Sequence, residues 1–329
     1  MKTPIIAVLL ILFGAAGAEA QRRTRVPEGA IINLYDAFGR TPSLIKDFGF
    51  SCITTVNGTT VLFDAGSNAD TFRKNVDALG VDLKSVDIVV VSHAHFDHLN
   101  GIDHLLTVNP SVKIYFPYDI FWGAPVPFNA TGQEPAVKDS LPVHMQYFDG
   151  GPTAFTIAQS GRFRNANIEY VKTSKEILPG MTLIATSSPY MGYYSCYPGK
   201  SFVDGQFVEQ EKDCRNTGLP ELSLSIRSAE GQTLLVGCSH TGVESIVKET
   251  RRVTNDGIDL LYGGFHMIPF GREETVRIAT MLKEELRVRR VAPAHCTGHL
   301  AFKVLQDLYG ASYLYAGLGE TTTVQWKKR

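Results

Sequence analysis

An apolar run over residues 86–92 (VDIVVVS) passes without a break into His93-Ala94-His95-Phe96-Asp97-His98. A continuous Val/Ile run reads as a strand buried on both faces of a sheet. Three histidines and one aspartate therefore follow directly past a strand's carboxyl end, where α/β sheets place their ligand sites. Neutral imidazole and carboxylate are donors that suit zinc, iron or manganese. His93 and His95 alternate in an extended turn and can point towards one metal, while Asp97 and His98, one step on, can face a second beside it. A solvated or core role rarely explains four such residues within six positions. The segment is read as a metal centre.

The rest of the chain alternates strands with helices. Residues 31–35, 51–56 and 60–64 read as short strands, the last two joined at Asn57-Gly58, a strong hairpin signal. Helical spacing of Phe72, Val76 and Leu79 predicts a helix over 69–80. Further strands are expected at 112–116, 222–227, 233–237, 258–262 and 291–294, and further helices at 243–253, 273–286 and 300–308. From about 117 to 179 the pattern loosens, with aromatics scattered among Gly and Pro; long loops of this kind often cover sites. The expected architecture is one α/β domain over residues 21–329 with a lid-like insertion at about 117–179. The aromatics Phe121, Trp122, Phe128 and Tyr147, with Tyr190, Tyr193, Tyr194 and Tyr197, either line a pocket or pack that lid onto the sheet.

Residues 1–20 stand apart from the core. Lys2, the apolar run of residues 5–13 and the small pair Ala18 and Ala20 around Glu19 form a secretory signal pattern, with cleavage expected after Ala20. Export to the periplasm or the extracellular space is expected, with no membrane attachment after cleavage. Losing Lys2 and Glu19 together leaves the formal net charge of −1 unchanged. That balance argues against a nucleic-acid partner, which calls for a basic stripe. A small-molecule substrate is expected, and the oligomeric state is left open. Export also permits disulfides: Cys196 and Cys214, in a Gly-, Pro- and Tyr-rich stretch, are a candidate bridge, with free thiols the alternative. Cys52 reads as a small core residue.

His93-x-His95-x-Asp97-His98 resembles the signature of the metallo-β-lactamase superfamily. Four further segments resemble its dihydropterin-ribofuranosylaminobenzene phosphate synthase-like branch: residues 62–66 (LFDAG), 237–242 (GCSHTG), 263–266 (GGFH) and 295–298 (HCTG). The resemblance spans roughly residues 31–319. It implies a four-layered αββα sandwich and two divalent metal ions, zinc first, with iron or manganese also suited. His93 and His95 would hold the first metal and Asp97 and His98 the second, with His295 completing the second site and His240 the first. The pattern departs in two places. The histidine common before the 222–237 hairpin is absent from Thr186-Ser187-Ser188-Pro189, and Cys238 stands where a bridging aspartate is usual. Cys238 is then either a thiolate ligand or a packed small residue. Asp64 either orients a ligand histidine or holds its turn. His266, after Gly263-Gly264, which allow close approach of backbone and ligand, is either a substrate or metal contact or a buried, hydrogen-bonded histidine.

The implied function is an exported metal-dependent hydrolase that uses a metal-activated water on a small ester, lactone, amide or phosphoester. Asp97 would serve as ligand and as acceptor of the water's proton. One alternative is a pterin-type transferase or synthase, as in the resembled branch, which export disfavours because pterin and phosphorylated precursors are made in the cytosol. The other is a non-catalytic, metal-containing binding protein. If the scattered aromatics line a pocket, a flat or apolar acyl substrate is favoured over a polyanion, since few basic residues flank the motifs; Arg272 and Lys200 are the basics to test for a phosphate.

Overall fold

A computed structural model describes residues 23–118, 127–129, 136–146, 154–156, 166–187, 200–203, 206–209 and 219–327. The first half runs β1 (Ala30–Tyr35), β2 (Ser51–Val56), β3 (Thr59–Phe63), α1 (Ala69–Ala78), β4 (Ile88–Val90), α2 (Phe96–Leu99), α3 (Ile102–Val108) and β5 (Lys113–Pro117). There follow β6 (Pro127–Asn129), α4 (Val137–Ser140), β7 (Ala154–Thr156), β8 (Ile168–Val171), β9 (Lys175–Leu178), β10 (Met181–Thr186), β11 (Lys200–Val203) and β12 (Gln206–Glu209). The chain continues through β13 (Glu221–Ser228), β14 (Gly231–Val236), α5 (Val243–Thr254), β15 (Ile258–Gly264), α6 (Arg272–Thr280), β16 (Arg290–Ala294), α7 (His299–Tyr309) and β17 (Thr321–Thr323).

Two mixed sheets carry the fold, in the orders β17-β1-β2-β3-β4-β5-β8 and β16-β15-β14-β13-β10-β9. Successive side chains of a strand point to opposite faces, and the packing follows that period. Val61, Phe63, Ile88 and Val90 join Leu224, Leu235, Leu260 and Tyr262 between the sheets. Leu62, Val89 and Val91 turn instead to Phe72 and Val76 of α1 and Ile102 and Leu105 of α3. On the far side, Leu234, Val236 and Leu261 meet Ile246 and Val247 of α5, Ile278 of α6 and Leu305 of α7. The layers are thus helix, sheet, sheet, helix: the αββα sandwich.

Most expected elements appear with small boundary changes. The β2–β3 turn forms at Asn57 and Gly58, both with positive φ (48° and 80°), as a two-residue hairpin requires. The buried run at 86–92 gives a shorter strand because the Ser92 N–H leaves the ladder and donates to Asp64 Oδ1 at 2.7 Å. In the two main sheets, β8, β9, β10 and β17 went unread. β8 and β9 are edge strands of the two sheets and only partly buried, so they lack a clean alternation, and β10 pairs antiparallel with β13. The later part of the 117–179 segment therefore contributes to both sheets. Residues 1–20, the Cys196 and Cys214 pair, and the aromatics Phe121, Trp122, Tyr147, Tyr190, Tyr193, Tyr194 and Tyr197 lie outside the described residues. Cys52 is a buried free thiol between the sheets. No described helix is long and apolar enough to cross a membrane.

Candidate metal centre

β3, β4, β14, β15 and β16 end at one rim, and the loops that leave them carry the predicted residues. His93 follows β4, His95 caps α2 without a side-chain capping bond, and Asp97 and His98 lie on that short helix. His240 lies between β14 and α5, His266 after β15 and His295 after β16. Several of these residues adopt left-handed backbone: Asp64 (φ 56°), Ser239 (69°), His266 (46°) and His295 (47°). Such conformations cost of order 1–3 kcal/mol each and persist where the surroundings over-determine them, commonly at functional sites.

The structure brings all six predicted ligands together, with Cys238 among them. One group is Asp97, His98, Cys238 and His295, all buried. His98 Nε2 lies 3.2 Å from His295 Nε2, 3.1 Å from Cys238 Sγ and 3.5 Å from Asp97 Oδ2. His295 Nε2 lies 3.2 Å from both Cys238 Sγ and Asp97 Oδ2. Metal–nitrogen bonds of about 2.0–2.1 Å and metal–sulfur bonds of about 2.3 Å give tetrahedral edges of about 3.3–3.6 Å. The separations are close to the edges of such a tetrahedron. A second group is His93, Cys238 and His240, with His95 Nδ1 3.0 Å from His93 Nε2. The His93, His95 and His240 rings form a near-equilateral triangle, their centroids 4.6–4.7 Å apart.

Asp64 fixes which nitrogens face inwards. Its Oδ2 accepts from His98 Nδ1 at 2.6 Å and from the Ser92 hydroxyl at 2.7 Å. With its proton on Asp64, Ser92 Oγ accepts from His93 Nδ1 at 2.8 Å. Both histidines thus have Nδ1 occupied outwards and aim Nε2 at the cluster, so one carboxylate sets the orientation of a donor in each group. Of the two readings of Asp64, the ligand-orienting one has a direct contact behind it.

Charge divides the cluster into two sides. Burial alone would lower His98, but the Asp64 and Asp97 carboxylates overcome it and lift its pKa to about 9. Burial opposes ionisation of Asp97 too, yet His98 and His295 hold its carboxyl well below the usual range. Burial keeps His95 neutral, down at about 3, and holds His93 and His240 well below their ordinary value. The result is three neutral imidazoles on one side and a carboxylate with two strongly basic imidazoles on the other. Asp97 Oδ1, buried, makes no hydrogen bond. This donor set fits divalent metal.

Three positioning groups escaped the sequence reading. Glu221, at the start of β13, accepts from the backbone N–H groups of His240 (2.9 Å) and Thr241 (2.7 Å). Asp36, just past β1, receives the His295 N–H at 3.2 Å. Burial raises both carboxyls to about 7 against these donors. Ser92 is the third. An acid at a strand end is common, so no local pattern marks Asp36 or Glu221; only the fold shows that each anchors a ligand loop. Where the family has a further histidine, Thr186 instead shares a 2.9 Å hydrogen bond with Thr241. His266 is half-buried, its ring centroid 4.1 Å from that of His240, and it groups with Cys238 and Cys296. Arg272 begins α6; the Lys200 side chain lies outside the described set.

Two substitutions test this frame. Replacing Glu221 by Ala strands two buried N–H groups, each worth about 1–3 kcal/mol. Denaturant unfolding is expected to show that loss, and metal titration a roughly 10–100-fold weaker site at His93, His95 and His240. A Cβ on Gly237 would overlap the Ser92 hydroxyl and lie 3.1 Å from Asp64 Oδ2. Gly237→Ala is therefore expected to lower the melting temperature and weaken metal binding together; wild-type values for both would show that Ser92 and Asp64 can give way.

An αββα sandwich with a His/Asp cluster at its rim is the metallo-β-lactamase fold, and the metallo-β-lactamase superfamily model matches residues 50–156 of the chain. It is similar to the 7,8-dihydropterin-6-methyl-4-(β-D-ribofuranosyl)-aminobenzene-5'-phosphate synthase of Methanocaldococcus jannaschii, with 24% identity over 273 residues, 78% of this chain and 82% of the relative. An uncharacterised protein of the same organism is 23% identical over 271 residues, 82% of this chain and 91% of the relative. Among solved structures, a metal-dependent hydrolase of the β-lactamase superfamily superposes with a TM-score of 0.65 at 22% identity, covering 90% of this chain and 99% of that one.

Proposed function

We propose that the chain is an exported, metal-dependent hydrolase that holds two divalent cations, zinc first, and acts on a small ester, lactone, amide or phosphoester. The observation that carries this reading is the convergence of two buried donor groups on one centre. His93, His95 and His240 would hold one cation, and Asp97, His98 and His295 the other. Bound there, the cations would lower the pKa of a water and stabilise charge on the attacked group. The chain's own residues supply the rest. Asp64 holds His98 directly and His93 through Ser92. Asp97 turns Oδ2 to His98 and His295 and keeps Oδ1 as the oxygen that accepts the water's proton. His266, the least buried of the clustered histidines, contacts substrate. Export rests on the leader pattern of residues 1–20.

The synthase among the relatives supports a second reading, transfer that joins a pterin to an aminobenzene ribofuranosyl phosphate. A substrate panel separates the two. Hydrolysis of an ester, lactone, β-lactam, amide or phosphoester, lost on chelation and restored by zinc, is the expected result. Condensation of the pterin pair with no hydrolysis of the panel would replace it with the synthase reading. Bound metal with turnover of neither would leave a binding protein.

A further inference from the structure

Cys238 is the one residue common to both donor groups. We propose that its sulfur bridges the two cations, making the centre thiolate-bridged and selective for thiophilic divalent ions. This rests on the two-metal reading above. Sγ lies 3.1 Å from His98 Nε2 and 3.2 Å from His295 Nε2. It is also within 4.8 Å of donor atoms of His93 and His240. One atom therefore reaches ligands of both ions.

The backbone leaves that sulfur little freedom. Gly237, before it, is wedged against Ser92. Ser239, after it, adopts a left-handed conformation and donates its hydroxyl to Gly264 O at 2.7 Å. The next two N–H groups are held by Glu221. Cys296 has a different place: its thiol donates to the Cys238 carbonyl at 3.5 Å, and it groups with Cys238 and His266 but with none of the six predicted ligands. On coordination Cys238 would release its thiol proton to solvent and form one sulfur–metal bond to each cation, with no change of oxidation state. Thiolate favours Zn²⁺, Co²⁺ and Cd²⁺ over Mn²⁺ and Mg²⁺.

The full chain, stripped by chelation and titrated with Co²⁺, reports this directly. A near-ultraviolet thiolate-to-cobalt charge-transfer band is expected to grow through two equivalents, because each ion gains the same sulfur. It should persist in Cys296→Ser. Cys238→Asp should still take up two Co²⁺ without the band. A band that saturates at one equivalent would make Cys238 a terminal ligand and overturn the bridge. Two bound Co²⁺ without a band in the wild-type chain, or a band lost in Cys296→Ser, would also overturn it while leaving two metals standing. Binding of fewer than two ions would remove the two-metal reading and the bridge with it.

Discussion

Asp64→Ala is expected to weaken both metal sites at once, although Asp64 belongs to neither donor group. Its carboxylate takes the His98 Nδ1 proton and the Ser92 hydroxyl on Oδ2 and the Ser92 N–H on Oδ1. Without it, a buried hydroxyl, a backbone N–H and an imidazole N–H lose their acceptor, each costing about 1–3 kcal/mol. Groups that orient a metal ligand from outside the coordination sphere are worth roughly 10–100-fold in affinity. Here that loss should register twice, directly through His98 and through Ser92 at His93. Isothermal titration of the stripped variant should show both sites weakened, with a lower unfolding midpoint. A loss confined to the His98 site would mean that the Ser92 relay does not orient His93.

The second large effect is expected from the ligands themselves. His95→Ala and His240→Ala each remove one corner of the triangle formed with His93. Each should lower bound metal and abolish hydrolysis together, beyond the roughly 10–100-fold that a supporting residue costs. Both positions are buried, so circular dichroism must confirm that the variants are folded. Turnover by a folded, metal-free His95→Ala chain would end the hydrolase reading based on metal-activated water.

The parts of this site that were legible in the sequence are those whose chemistry is local. His93, His95, Asp97 and His98 announce themselves because four ligating side chains fall on one turn after a buried strand. Glycine placement was legible in part: Gly264 is needed where a Cβ would meet Cys296 Sγ at 2.9 Å and His295 Cδ2 at 3.2 Å. The sandwich, with His240 and His295, came through resemblance to a family. What stayed hidden is long-range. Asp36 reaches His295 and Glu221 reaches His240 by accepting backbone N–H groups, and neither leaves a trace in residue type or spacing. Cys238 showed only as a departure from a pattern; its place between two donor groups is set by packing β14 beside β15 and both against the first sheet. β8 and β9 were missed because edge strands with one open side need not alternate.

Metal content tests the central claim most directly. Elemental analysis of the chain, purified without added metal and normalised to amino-acid analysis, should find two divalent cations per chain. It should fall to one or fewer in His240→Ala and in His295→Ala. One cation or none in the folded wild-type chain would contradict the dinuclear centre and the hydrolase built on it.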